Sequence, residues 1–118
     1  MKILVVGGTG ALGGHCAIHL ASKGHDVSVG GRHPANPATP MAAMPFVQGD
    51  YVAGDYTPEK LAGFDWAVFA AGNDPRHVPQ GADFAEFLFK ANHEAVPAFF
   101  AACRDAGVKR AIQLGSYY

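Results

Sequence analysis

Short apolar runs alternate along this chain with longer stretches whose apolar residues recur at helical spacing. Residues 2–6 (KILVV) form a continuous β-branched-rich run, the composition of a parallel strand covered on both faces. A cluster of glycines follows. Residues 11–23 then carry Leu12, Cys16 and Leu20 at i, i+4 and i+8, which predicts a helix with those three on its buried face and a stop at Gly24. Residues 26–29 predict a second strand, running out into Gly30, Gly31 and Arg32. Pro34, Pro37, Pro40 and Pro45 make the next stretch a loop, and residues 46–50 predict a short third strand. Thr57, Pro58 and Glu59 have the form of a helix start: a capping hydroxyl, a proline in the first turn and a favourable acidic charge. Residues 65–71 predict a buried fourth strand, and 73–82 a polar connection. Residues 83–106 read as a long helix that Pro97 must kink or split, unless it opens a second helix. Gly107 ends that helix, and residues 108–114 predict a fifth strand. Such alternation predicts an open, doubly wound α/β sheet of parallel strands in three layers. Right-handed crossovers make 3-2-1-4-5 the expected strand order.

A chain of 118 residues, 49% hydrophobic and 16% charged, has the composition of one soluble domain with a real core. A net charge of −1 offers no basic field, so nucleic acid is not an expected partner. No run approaches a membrane span or a leader sequence, so neither membrane nor export is expected and the cytoplasm is the expected location. Cys16 and Cys103 each fall inside a helical pattern and read as buried thiols. His15 and His19 stand at i, i+4, but no carboxylate lies between them, and no metal site is expected.

The chemistry is concentrated in residues 7–13, GGTGALG, which fit G-x-x-G-x-x-G from Gly7 and G-x-G-x-x-G from Gly8. The loop lies between a buried strand and an amphipathic helix, the context in which such a pattern binds the pyrophosphate of a dinucleotide. The first glycine permits the sharp turn. Gly10 lets a phosphate approach the backbone, and Gly13 lets the helix pack closely. The helix N-terminus then offers free N–H groups and partial positive charge. Thr9, Ala11 and Leu12 complete this loop. An acidic residue at the end of the second strand would bond the ribose 2′-hydroxyl of NAD. Here that strand ends in Gly30, Gly31 and Arg32, and an arginine suits a 2′-phosphate and the adenine face. NADP is therefore expected in preference to NAD.

Five stretches in order, VVGGTGALGG, KGHDVSVGGR, QGDY, DWAVFAAG and AACRDAGVKRAIQLGS, give the chain a resemblance to the short-chain dehydrogenase/reductase superfamily. The likeness is to its extended and atypical branches, the NAD-dependent epimerase/dehydratase and NmrA-like NAD(P)-binding proteins, and it covers their N-terminal portion. The resemblance implies a Rossmann-type domain over residues 1–118. It also implies that Asp50, with Tyr51 beside it, meets the adenine amino group. Ala70, Ala71 and Gly72 would line the cofactor ribose, Asn92 would support the active site from the long helix, and Ser116 would be a catalytic hydroxyl. The family often has two adjacent hydroxyl residues there, whereas this chain has Gly115 and Ser116. The family's catalytic tyrosine and lysine, spaced Y-x-x-x-K, belong some tens of residues after Ser116. The catalytic pair is thus expected beyond Tyr118, and these 118 residues alone are not expected to turn over substrate. The resemblance implies an oxidoreductase, epimerase or dehydratase that moves hydride to or from a small carbonyl or hydroxyl substrate. The other reading is a non-catalytic NADP-binding regulator of the NmrA type. A homo-oligomer fits either.

Overall fold

The computed structural model describes residues 1–72 and 78–114. Five parallel strands form one sheet: β1 (Lys2–Val6), β2 (Asp26–Gly31), β3 (Phe46–Gln48), β4 (Trp66–Phe69) and β5 (Arg110–Gln113). Their order is β3-β2-β1-β4-β5, as the alternation of elements predicts. Val5 of β1 is in register with Val29 of β2 on one side and Val68 of β4 on the other, so the opening apolar run is the centre of the sheet.

Side chains alternate across each strand, and the two faces build two cores. Leu4, Val6, Ala67 and Phe69 face one layer with Leu61, Val96, Phe99 and Cys103. Ile3, Val5, Val27, Val29 and Val68 face the other with Ala17 and Met41. β5 lies at the sheet edge with all four residues exposed. Among the described residues no helix is long and apolar enough to cross a membrane.

α1 (Ala11–Ser22) forms where expected, with Cys16 and Leu20 packed half-buried against the second core, but Leu12 does not join them. The buried residues of the helix are Gly13, Gly14 and Ala17, while Leu12 is 72% exposed. The reason is proximity. A Cβ on Gly13 would collide with the Gly7 carbonyl oxygen, and one on Gly8 would lie 2.6 Å from a Val29 methyl. This end of the helix lies so close to the turn before it that only the smallest residues fit, and the larger Leu12 is turned outward.

α2 (Pro58–Leu61) is a single turn, shorter than its start signal suggests. Thr57 does cap it, its hydroxyl accepting the Lys60 N–H at 3.4 Å, and Gly63, at φ +90°, soon turns the chain away. The long helical stretch is divided. α3 (Phe84–Leu88) is capped by the Asp83 carboxylate, which accepts the Glu86 N–H at 2.8 Å. Residues Phe89–Ala95 are π-helical, and α4 (Val96–Asp105) holds Pro97 in its first turn. Proline offers no N–H, and the wider π register gives the preceding carbonyls a donor one residue further on.

Cys103 of α4 is 2% exposed, and burial pushes its thiol up from 9.0 to about 11. The fold thus favours the neutral thiol, whereas an unfolded chain ionises it from about pH 9. Stability should be full below pH 9 and fall by roughly 2 kcal/mol as pH rises towards 11. Urea unfolding at pH 8 and pH 10.5 checks this: Cys103→Ala, although less stable at pH 8, should show a smaller alkaline loss. An equal loss in both proteins would assign the effect elsewhere. Tyr56, whose hydroxyl burial also pushes up, is the alternative source.

Candidate functional site

The chain leaves β1 through a loop tied to its surroundings by backbone bonds. Gly7 N–H donates to the Gly30 carbonyl at 2.8 Å, Gly8 N–H to Val5 at 3.1 Å, and Gly10 N–H to Gly7 at 3.0 Å. Gly7 takes φ +85°, and a Cβ there would lie 2.6 Å from the Ala71 nitrogen. The loop is therefore wedged against β2 on one side and the exit of β4 on the other. These strand ends flank the point where the winding of the sheet reverses, the usual ligand crevice of such a fold.

A cleft of about 430 Å³ opens there. Gly7, Thr9 and Gly10 form its floor. Arg32 and Asp50 with Tyr51 form one wall, and Ala70, Ala71 and Gly72 the other. Nine of the residues singled out in the sequence thus line one cavity. Ala11, Leu12 and Gly13 lie next to it in the first turn of α1 but are not in its lining. Asn92 is exposed in the π-helical segment and is also outside the lining. Ser116 lies outside the described residues.

Gly10 tests whether this floor fits a pyrophosphate. Its φ of −91° and ψ of −175° are open to any residue. A Cβ there would have one neighbour within 4 Å, the Gly7 carbonyl oxygen at 3.4 Å. Neither conformation nor packing demands glycine at this position. The space left bare sits at the start of α1, which no side chain caps and whose first N–H groups have no partner within the helix. Gly13 is the opposite case, fixed by the fold itself.

The wall is held by its own turn. Asp50 Oδ1 accepts the Val52 N–H at 2.9 Å, and Asp55 Oδ2 accepts the Asp50 N–H at 2.8 Å. The Tyr51 ring meets Phe69 edge to face at 4.9 Å, tying the cleft to the core. Val52, Pro79 and Phe87 also line the cleft and were not expected from sequence. Only Val52 had a signal, its place beside Tyr51. A second cavity of about 400 Å³ adjoins the first, sharing Arg32, Gly49 and Asp50 and adding Gln48, Asp55 and Lys60.

One Y-x-x-x-K does occur within the chain, at Tyr56 and Lys60, ahead of Ser116 rather than after it. It is not built for proton transfer. Tyr56 is 4% exposed, and its hydroxyl donates to the Val47 carbonyl at 3.1 Å. Burial first, then the Asp55 and Asp50 carboxylates, hold its pKa well above the usual tyrosine range, whereas a catalytic tyrosine needs it lowered. Lys60 instead donates to the Gln48 carbonyl at 2.8 Å. Tyr56 lies just before α2 and Lys60 within it, where Lys60 lines the second cavity.

Known proteins share this architecture. UDP-glucose-4-epimerase from Stenotrophomonas maltophila, solved with bound NAD and formylated UDP-arabinopyranose, superposes with a TM-score of 0.79 at 23% identity, over 99% of this chain and 37% of its own. MoeE5 in complex with UDP-glucose and NAD gives 0.76 at 25% identity, over 99% of this chain and 37% of its own. The protein gox2253 gives 0.78 at 26% identity, over 98% of this chain and 34% of its own. The chain therefore spans little more than a third of the length of these relatives. No curated protein matches it significantly. The NAD dependent epimerase/dehydratase family matches residues 3–118, essentially the whole chain, and together with the glycine floor and the sheet order this places the chain in that family.

Proposed function

We propose that this chain is the cofactor-holding part of an epimerase, dehydratase or reductase, and that it takes NADP in preference to NAD. The observation that carries the reading is Gly10, bare where neither backbone nor packing requires it, on the floor of a cleft at the sheet's switch point. In this reading Gly7, Thr9 and Gly10, with the first-turn N–H groups of Ala11, Leu12 and Gly13, hold the pyrophosphate. Ala70, Ala71 and Gly72 accommodate the ribose, and Asp50 and Tyr51 the adenine. Arg32 takes the 2′-phosphate, and Asn92 and Ser116 serve the reacting end.

The nicotinamide, when bound, would accept or supply hydride at a carbinol carbon. Membership of the family and the UDP-glucose held by MoeE5 support a sugar as the substrate class. The NAD held by MoeE5 supports a dinucleotide cofactor. The preference for the phosphorylated form rests on this chain's own Arg32 at the end of β2, where Gly30 and Gly31 bring no carboxylate.

Arg32→Ala is expected to weaken NADP more than NAD by about 1.5–3 kcal/mol, the worth of hydrogen bonds to a charged group. Calorimetric titration of both cofactors measures it. Equal losses would leave adenine stacking as the only role of Arg32 and remove the preference for NADP.

A further inference from the structure

The second cavity has a use that the first does not supply. We propose that Lys60 is a specificity-determining residue that joins Arg32 in clamping a phosphate monoester on the adenosine ribose. This rests on the NADP reading above and adds to it the second cation and the place where the phosphate sits.

Four observations carry it. Lys60 and Arg32 line the same cavity of about 400 Å³, which opens beside the wall carrying Asp50. The Lys60 ammonium is already placed: it donates to the Gln48 carbonyl at the end of β3 at 2.8 Å, and lies 6.0 Å from the centre of the Tyr56 ring. An ammonium has three donors, and this bond uses one of them. The turn below is rigid, because Thr57 caps the Lys60 N–H and the buried Tyr56 hydroxyl is bonded to Val47. Across the cavity, Gln48 Nε2 donates to the Arg32 carbonyl at 3.4 Å, joining the ends of β2 and β3.

The cavity also holds the carboxylates of Asp50 and Asp55. Each turns one oxygen onto the backbone of its own turn. Two cations and two carboxylates give no net attraction for a free anion. A phosphate tethered to an adenosine already seated in the first cavity arrives at high effective concentration, and only the two cations distinguish it from a hydroxyl. The site is thus expected to read the 2′-substituent of a dinucleotide while binding inorganic phosphate poorly.

The test is calorimetric titration of wild type, Lys60→Met, Lys60→Arg and Arg32→Ala with NADP, NAD and inorganic phosphate, with melting curves confirming that each folds. Lys60→Met should weaken NADP about tenfold while leaving NAD within about twofold, and Lys60→Arg should restore most of the loss. The salt dependence of NADP binding should become shallower in Lys60→Met. Unchanged NADP affinity in Lys60→Met, with a selective loss in Arg32→Ala, would overturn the role of Lys60 and leave the NADP reading standing. Equal losses of NADP and NAD in Lys60→Met would make the lysine merely structural and equally overturn it. If wild type and Arg32→Ala both fail to distinguish the cofactors, the NADP reading falls and this inference falls with it. Inorganic phosphate binding as tightly as the 2′-phosphate contributes would overturn the tethered geometry.

Discussion

Gly13→Ala is expected to destabilise the fold by about 3 kcal/mol, while Gly10→Val leaves the fold nearly intact and weakens dinucleotide binding by about a hundredfold or more. The two glycines sit three residues apart in one motif and answer to different forces. A Cβ on Gly13 strikes the Gly7 carbonyl, with the carbonyl carbon itself at 2.6 Å. Both partners are backbone. Relief means pushing α1 off the turn, which disturbs the packing of Ala17 against Ile3 and Val5. At Gly10 the backbone is ordinary and the space is open, so a valine costs the fold no more than a poorer helix cap, about 1 kcal/mol or less. Its isopropyl group would stand between the loop N–H groups and a pyrophosphate. Losing two charge-assisted hydrogen bonds at about 1.5–3 kcal/mol each lowers affinity by about a hundredfold or more. Urea unfolding and calorimetric titration of each variant separate the effects. Gly10→Val retaining wild-type affinity would remove the pyrophosphate from this loop, and Gly13→Ala retaining wild-type stability would show that α1 can move freely.

The strand order and the cleft's floor were legible because they follow from local signals. A buried run, a glycine turn and a helix in sequence leave few topologies for a parallel sheet, and Gly7, Thr9 and Gly10 come from that first crossover. What was not legible depends on contacts between distant residues. Helical periodicity placed Leu12, Cys16 and Leu20 on the buried face, and Cys16 and Leu20 do pack there, yet it cannot register that the helix start lies against the Gly7 carbonyl and turns Leu12 outward. The start signal at Thr57 was real, but Gly63 limits α2 to one turn. Phe87 reaches the cleft from α3 because of how that helix is placed, and no spacing announces it. The Tyr56 and Lys60 pair shows the converse. A catalytic spacing occurs where burial and a carbonyl partner deny the tyrosine any proton-transfer role, so spacing without position carries no chemistry.

Phe69→Ala is expected to cost about 3–5 kcal/mol, enough to leave a domain of ordinary stability partly unfolded. Phe69 is 1% exposed at the end of β4, in line with Val6 of β1. Its ring lies 5.1 Å from Phe99 and 6.1 Å from Phe100 of α4, and 4.9 Å from Tyr51. The residue is therefore the joint between the sheet, the helical layer and the cleft wall. Phe69→Leu separates stability from site geometry. It keeps most of the buried apolar volume, at a cost of about 1–2 kcal/mol, but removes the edge-to-face partner that holds the Tyr51 ring. The cleft wall would then lose that contact with the core. Affinity for NADP and NAD should fall together by a few-fold, since the loss lies at the adenine and not at the 2′-position. The check is urea unfolding beside calorimetric titration of both cofactors at a temperature where each variant is folded. A folded Phe69→Leu with undiminished affinity for both would mean that the core does not set the position of Tyr51. A loss confined to NADP would instead place this contact with Arg32 and Lys60 at the phosphate.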